Sequence, residues 1–300
     1  MNRSVTPDIG SWLESCRVRV DEALERWLPA AAGDGGKLHE AMRYSVFAGG
    51  KRIRPVLCLA VAEGLGGHRE AFLRAASAIE LLHTYSLIHD DLPALDNDSL
   101  RRGKPTSHKV FGEGMAILAG DALLTLAFEW MGTAGRSFDP SRGLEAVELF
   151  ARVSGPAGMV GGQVLDVESE HLQVTPERLR TIHRLKTGAL IRGSVEIGAI
   201  LGGASPDERE RFRTFGEEIG VLFQIVDDIL DVEGDVSVLG KTPGSDVRKG
   251  KATFPSILGI QVAKDLADKA ERQAIDALGN LGKTIPVLVE LARFIRRRSN

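Results

Sequence analysis

Residues 205–233, SPDERERFRTFGEEIGVLFQIVDDILDVE, open on a helix-start signal and end on three aspartates, and they set the class of the whole chain. Ser205 precedes a proline at the first helical position, and Glu208 completes a capping box with it. One long helix follows, through Glu233. Inside it Asp227 and Asp231 stand at i and i+4 on one face, whereas Asp228 points about 100° away and Gln224 lies one turn earlier. Like charges at that spacing are unfavourable even when exposed, and more so when flanked by Leu222, Phe223, Ile225, Val226, Ile229 and Leu230. A helix that needed only solubility would mix Glu with Lys. These carboxylates therefore point to a bound cation.

Helical signals continue on both sides of this segment. They predict helices over Asp8–Trp27, Lys37–Ala48, Pro55–Glu63, His68–Asp91, Glu113–Thr133, Leu144–Ser154, Ala157–Glu170, Pro176–Leu201, Phe254–Leu278 and Ile285–Arg298. Thr175-Pro176 marks a second start, and Gly49-Gly50, Gly202-Gly203 and Gly279 mark stops. Period-2 strands are hard to find. No low-complexity linker divides the chain, and no repeat of fixed period occurs; residues 234–253 form the longest stretch that reads as ordered loop. The expected architecture is all-α, one large helical bundle as a single domain over residues 1–300.

Composition narrows the function. A hydrophobic fraction of 43% supplies a large core, and a net charge of -3 argues against a nucleic-acid binder, whose affinity comes from neutralising many phosphates. Cys16 and Cys58 lack metal-type spacing and read as buried small hydrophobes in a reducing compartment. Asp8, Glu14, Asp21 and Glu22 interrupt the N-terminal region, and Asp121 and Glu129 interrupt the apolar run 114–131, so neither a leader nor a membrane span is expected. The expected location is cytoplasmic.

A second acidic cluster ends the helix that carries Ala76, Glu80, His83, Leu87 and Asp90 at three- and four-residue spacing. Pro93 stops that helix, leaving Asp90, Asp91, Asp96 and Asp98 at the negative end of its dipole. A hard divalent ion resolves the conflict, and Mg²⁺ typically takes one or two carboxylates and completes its shell with water and phosphate oxygens. Cations for such phosphates are present: residues 49–55, GGKRIRP, place Lys51, Arg52 and Arg54 on a glycine-rich turn before a helix, and Arg101, Arg102 and Lys104 follow the acidic cluster. Lys186-Thr187 and the stretch Lys241 to Lys251 add more.

With these motifs in order (Asp90-Asp91-Leu92-Pro93-Ala94-Leu95-Asp96, Asp227-Asp228-Ile229-Leu230-Asp231, GGKRIRP, LRRGKPT, KTG, FQ and GKTPGSD), the sequence resembles the trans-polyprenyl diphosphate synthases over nearly its whole length, most closely the bacterial farnesyl diphosphate synthases. The resemblance implies the isoprenoid synthase fold with a central active-site cavity, a homodimer, and three Mg²⁺ ions held by Asp90, Asp96 and Asp227, with Asp231 acting through water. It assigns Lys51, Arg54, His83 and Arg102 to isopentenyl diphosphate. Arg101, Lys186, Thr187, Gln224, Lys241 and Lys251 go to the allylic diphosphate. Gln163 and Asp166 would help orient the substrates, and Tyr85, five residues before the first Asp, with Ser86 beside it, would set product length. Arg52, Lys104, Lys249 and the tail Arg296-Arg297-Arg298 read as solvated charges, although the resemblance also offers the tail a place near the active-site mouth.

The expected reaction is ionisation of an allylic diphosphate followed by attack of the isopentenyl double bond, giving farnesyl diphosphate, with geranyl or geranylgeranyl diphosphate as alternatives. A terpene cyclase would share the bundle and an Asp cluster but has no use for a second basic pocket. A P-loop fails on glycine spacing in residues 234–242.

Overall fold

The computed structural model describes residues 8–67, 70–170, 172–233 and 252–298. In chain order the helices are α1 (Ile9–Trp27), α2 (Gly36–Val46), α3 (Ile53–Gly64), α4 (Glu70–Asp90), α5 (Ser107–Phe111), α6 (Glu113–Gly135), α7 (Pro140–Ser154) and α8 (Met159–Val167). Then come α9 (Pro176–His183), a π turn (Arg184–Gly188), α10 (Ala189–Gly202), α11 (Pro206–Glu233), α12 (Phe254–Leu258), α13 (Ile260–Leu278), α14 (Leu281–Thr284) and α15 (Pro286–Arg297). The all-α class expected from the sequence is what forms.

Most boundaries follow the local chemistry. Asp8 caps α1 through the Ser11 amide, Thr175 caps α9 through Arg178, and Ser205 and Glu208 exchange hydrogen bonds at the start of α11. Three expectations need correction. The helix expected over 254–278 breaks at Gly259, whose φ of 84° lies outside the helical range. The one expected over 176–201 carries the π turn, and a two-residue hairpin, β1 (Leu100–Arg101) with β2 (Lys104–Pro105), follows the first Asp cluster. Its central residues Arg102 and Gly103 both have positive φ, the pattern that matches strand twist in tight hairpins.

Packing is organised by α3. Ile53, Val56, Leu57, Cys58, Leu59, Ala60, Val61 and Ala62 are all buried, so the helix is apolar on every side. Cys58, Leu59 and Ala62 join a core built with α4, α6 and α7, whereas Val56, Leu57, Ala60 and Val61 join one built with α10, α11, α13 and α15. Burial pushes the Cys16 and Cys58 thiols up to about 11 and about 12, which keeps them protonated and unreactive. By length and composition α6 is apolar enough to cross a membrane; here its Ala116, Ala119, Leu123 and Ala127 are buried, and it packs along α4.

Candidate active site

A cavity of about 900 Å³ lies where α3 begins, α4 ends, and α8, the π turn and α11 converge. Asp90 and Asp227 both line it, as do Lys51, Arg54, Arg101 and Arg102. Two acidic motifs more than a hundred residues apart thus reach one space together with cations from two further segments.

The wall from α4 begins with a division of labour. Asp91 is buried and receives the Arg101 guanidinium on both oxygens, Nε at 2.8 and 2.9 Å and Nη2 at 2.7 Å. Burial raises its pKa, and Arg101 opposes the shift. Asp90, the last residue of α4, stays at the cavity, while the chain turns back so that the Asp96 amide donates to the Asp90 carbonyl at 2.9 Å. Asp96 is half-buried and is not among the residues that line the cavity. The hairpin carrying Arg101 and Arg102 is tied down by Thr106, whose Oγ1 donates to the Asp98 carbonyl at 2.7 Å, and by Tyr44, whose hydroxyl donates to the Pro105 carbonyl at 2.7 Å.

The basic wall is compact. Arg102 donates to the Gly49 carbonyl, and its guanidinium fills the space that a side chain at Gly50 would need; Gly50 has a φ of 127°. Arg54 Nη1 lies 3.2 Å from His83 Nε2. A guanidinium only donates, so Nε2 accepts and the ring proton sits on Nδ1. Burial, then the charges of Arg54 and Arg102, hold the His83 pKa well below its ordinary value, so the ring is neutral. Burial also brings Arg54 down to about 10, still charged at neutral pH.

On the opposite wall, α8 runs against the π turn. Lys186 Nζ donates to Asp166 at 2.7 Å, and Thr187 lines the cavity beside it. π turns inside helices recur at functional sites because the extra residue displaces the backbone. Gln224 Nε2 donates to Asp228 at 2.8 Å, which leaves its carbonyl oxygen as the free end. Asp228 is buried, and its other oxygen takes the Phe254 amide at 2.8 Å, so it fixes α12 on α11. Asp231 is also buried and does not line the cavity. Tyr85 lines the wall with 8% exposure, its ring edge-on to His89 at 5.3 Å; Ser86 lines it as well and donates to the His83 carbonyl. Lys241, Lys249 and Lys251 lie outside the described residues.

Two charges expected in solvent are not there. Arg52 is buried, between Asp21, Glu80 and the Val46 carbonyl. Arg298 stacks on Phe223 at 3.9 Å and donates to Asp227 at 2.7 Å and to the Phe223 carbonyl at 2.8 Å, with a side chain only 4% exposed. Nothing local distinguishes these arginines from their neighbours; only the packing does. Lys104 and Arg297 are exposed as expected, and Arg296 pairs with Asp268.

The donors suit a divalent cation shared with a diphosphate. Among the described residues no three His, Cys, Asp or Glu side chains cluster to hold an ion alone. Single carboxylates from separate helices fit Mg²⁺, which takes the rest of its shell from water and phosphate. Three of the nine buried side-chain atoms without a hydrogen-bond partner among the described residues, Arg54 Nε, Gln163 Nε2 and Arg298 Nε, belong to residues of this cavity, where a polar ligand could meet them.

A helical bundle that sets two carboxylate-bearing helices and a basic turn around one cavity defines a class of enzyme acting on diphosphates with divalent metal. The sequence profile of the polyprenyl synthetase family matches residues 36–284, and the chain belongs to that family of prenyltransferases. It is 48% identical over 299 residues to a heterodimeric geranylgeranyl pyrophosphate synthase large subunit from Arabidopsis thaliana, covering 98% of this chain and 80% of the relative. It is 49% identical over 267 residues to a geranylgeranyl pyrophosphate synthase from Catharanthus roseus, covering 88% and 74%. Among solved structures, an FPP/GFPP synthase from Zymomonas mobilis superposes with a TM-score of 0.86 at 40% identity, covering 96% and 98%. A geranyltransferase from Helicobacter pylori, solved with magnesium and isoprenyl diphosphate, superposes with 0.85 at 33% identity, covering 98% of each chain.

Proposed function

We propose that this prenyltransferase condenses isopentenyl diphosphate head-to-tail with allylic diphosphates and that geranylgeranyl diphosphate is its main product. The observation that carries the reaction is the meeting of Asp90 and Asp227 with two separate groups of cations in one cavity. Lys51, Arg54, His83 and Arg102 hold isopentenyl diphosphate. Arg101, Lys186, Thr187 and Gln224, with Lys241 and Lys251, hold the allylic partner. Asp90 and Asp227, which line the cavity, would hold Mg²⁺, three ions in all, with Asp96 from the turn after α4 as a further ligand; Asp231, buried away from the cavity wall, would take no part. Bound there, the metal supplies charge neutralisation for the departing diphosphate. The carbonyl oxygen of Gln224, whose amide is held by Asp228, would stabilise the resulting allylic cation through its dipole, while Leu87, Met159, Val160 and Phe223 line the cavity with apolar surface that excludes water. The residues around isopentenyl diphosphate orient its double bond toward that cation; the new C–C bond leaves a tertiary cation, which loses a proton to the departed diphosphate to give the extended product.

Product length rests on the relatives, two of which at 48% and 49% identity are geranylgeranyl pyrophosphate synthases. Farnesyl diphosphate is the second reading, favoured by the buried ring of Tyr85 in the cavity wall. Chromatographic sizing of products from labelled isopentenyl diphosphate, with dimethylallyl and geranyl diphosphate as primers, decides between them. Geranylgeranyl diphosphate is expected, with longer chains from Tyr85→Ala; farnesyl diphosphate alone would establish the second reading. Hydrocarbon released from an allylic diphosphate alone would replace both by a cyclase. A homodimer in the cytoplasm is part of the same proposal. Exposed apolar side chains at Val110, Ile117 and Leu118 support the pairing, and mass in solution tests it.

A further inference from the structure

We propose that Arg52 is a positioning residue for the isopentenyl diphosphate site, holding the basic turn and the His83 helix in one arrangement without touching substrate. The proposal rests on the reading above that places isopentenyl diphosphate at Lys51, Arg54, His83 and Arg102.

The Arg52 guanidinium reaches three helices. Nε donates to Asp21 Oδ1 on α1 at 2.9 Å, Nη1 to Glu80 Oε1 on α4 at 2.6 Å, and Nη2 to the Val46 carbonyl at the end of α2 at 2.7 Å. A planar fork with fixed donor directions can satisfy three such acceptors at once, and a lysine ammonium cannot reproduce that geometry. Arg52 and Glu80 are 4% and 2% exposed, so neither behaves as a surface charge.

The backbone gives this fork its leverage. Arg52 has φ 53° and ψ 33°, left-handed values rare for a residue with a side chain, and follows Gly49 and Gly50 at φ 99° and 127°. Lys51 and Arg54, on either side of it, line the cavity. Whatever holds Arg52 in that conformation therefore sets where its two neighbours present their charges. Glu80, the acceptor on α4, lies one turn before His83, and Arg54 approaches His83 at 3.2 Å. One residue thus ties the turn to the helix at the point where their side chains meet.

Charge supports the same assignment. Lys51, Arg52, Arg54, Arg101 and Arg102 all line this cavity, and Glu80 and Asp21 are the carboxylates paired with Arg52. Arg52 directs its charge into the scaffold, and the other cations are left to the diphosphate.

The test uses Arg52→Lys and Glu80→Gln in the full-length enzyme, with thermal unfolding as a check on folding and both substrates varied. Because small displacements of a binding group are strongly felt, Arg52→Lys is expected to raise KM for isopentenyl diphosphate about tenfold or more, with kcat and the allylic KM within about twofold. Glu80→Gln, which keeps an acceptor oxygen, should raise the same KM by less. A parallel rise in both KM values, or a lower kcat with the isopentenyl KM unchanged, would overturn the proposal in favour of a purely structural ion pair. If Arg52→Lys does not fold, an unchanged isopentenyl KM in Glu80→Gln overturns it. Calorimetric titration with inorganic pyrophosphate in magnesium-free buffer gives a readout independent of turnover: weaker binding by either variant supports the assignment, and equal binding refutes it. A wild type that binds pyrophosphate but consumes no isopentenyl diphosphate would refute the proposed function and leave the positioning role to this titration.

Discussion

Replacing Gly162 by alanine should damage catalysis far more than folding. Gly162 lies in α8 against the π turn, where an added Cβ would fall on the Lys186 amide nitrogen, 2.6 Å from the Lys186 Cα and 2.7 Å from the Leu185 carbonyl carbon. Ordinary contact begins at 3.4 Å, and all these atoms are backbone, so no side chain can rotate away. The π turn must retreat by roughly 1 Å, carrying Lys186 and Thr187 with it, and a misplacement of that size can cost about 10²-fold in rate. Overpacking costs about 1–3 kcal/mol. Alanine returns about 1 kcal/mol by replacing glycine inside a helix, so the net loss stays within about 2 kcal/mol of a stability commonly about 5–15 kcal/mol. Steady-state kcat/KM for prenyl transfer and a urea unfolding curve measure the two effects separately. A Gly162→Ala enzyme with wild-type kcat/KM would refute the argument, since it would show that the π turn can move without consequence for the reaction.

The adjacent aspartates of α11 should separate. Asp227→Asn keeps an acceptor for Arg298 and removes the charge at the cavity, so turnover should collapse while the unfolding midpoint stays near wild type. Asp228→Asn leaves one of two donors, Gln224 Nε2 or the Phe254 amide, facing an NH₂ group, so unfolding stability should fall by about 1–3 kcal/mol. Identical behaviour of the two variants would remove the distinction. His183, brought down to about 4 by burial, is neutral in the folded protein over a range where the unfolded chain, with an ordinary value of 6.5, binds a proton. Stability is therefore present above 6.5 and lost as pH falls toward 4, by about 2 kcal/mol at pH about 5 from this residue. His183→Gln should shrink the fall in urea-unfolding stability between pH about 7 and about 5 by that amount, and an unchanged slope would exclude the assignment.

Much of this was legible in the chain because it rests on local rules. The start of α11 follows directly from Ser205, Pro206 and Glu208, and the unfavourable aspartates near Asp90 and Asp227 pointed to one shared acidic site, which the cavity brings together. The break at Gly259 was not legible, since a single glycine inside an apolar pattern is compatible with a continuous helix. The π turn was hidden for a related reason: one extra residue hardly disturbs the apolar spacing on either side. The arginines show the deeper limit. In GGKRIRP the three cations look alike and all border the cavity, and only the left-handed backbone at Arg52 sends its guanidinium to Asp21 and Glu80, leaving Lys51 and Arg54 without such carboxylate partners among the described residues. Asp21 had no feature in sequence beyond its negative charge. Arg298 likewise needed the fold to bring it onto Phe223.

The helix that follows the basic turn, α3, belongs to both halves of the core at once. A rod gripped from all sides cannot slide or tilt without disturbing everything packed around it, so the basic turn that leads into it, the proposed diphosphate anchor, is held by two cores at once. The wall at Tyr85, proposed to limit product length, rests instead on an edge contact with His89, a junction between two side chains. On the proposed reading, exchanging residues there would redraw the depth of the cavity while the anchoring end stays fixed, so that one scaffold could keep its chemistry and vary what it makes.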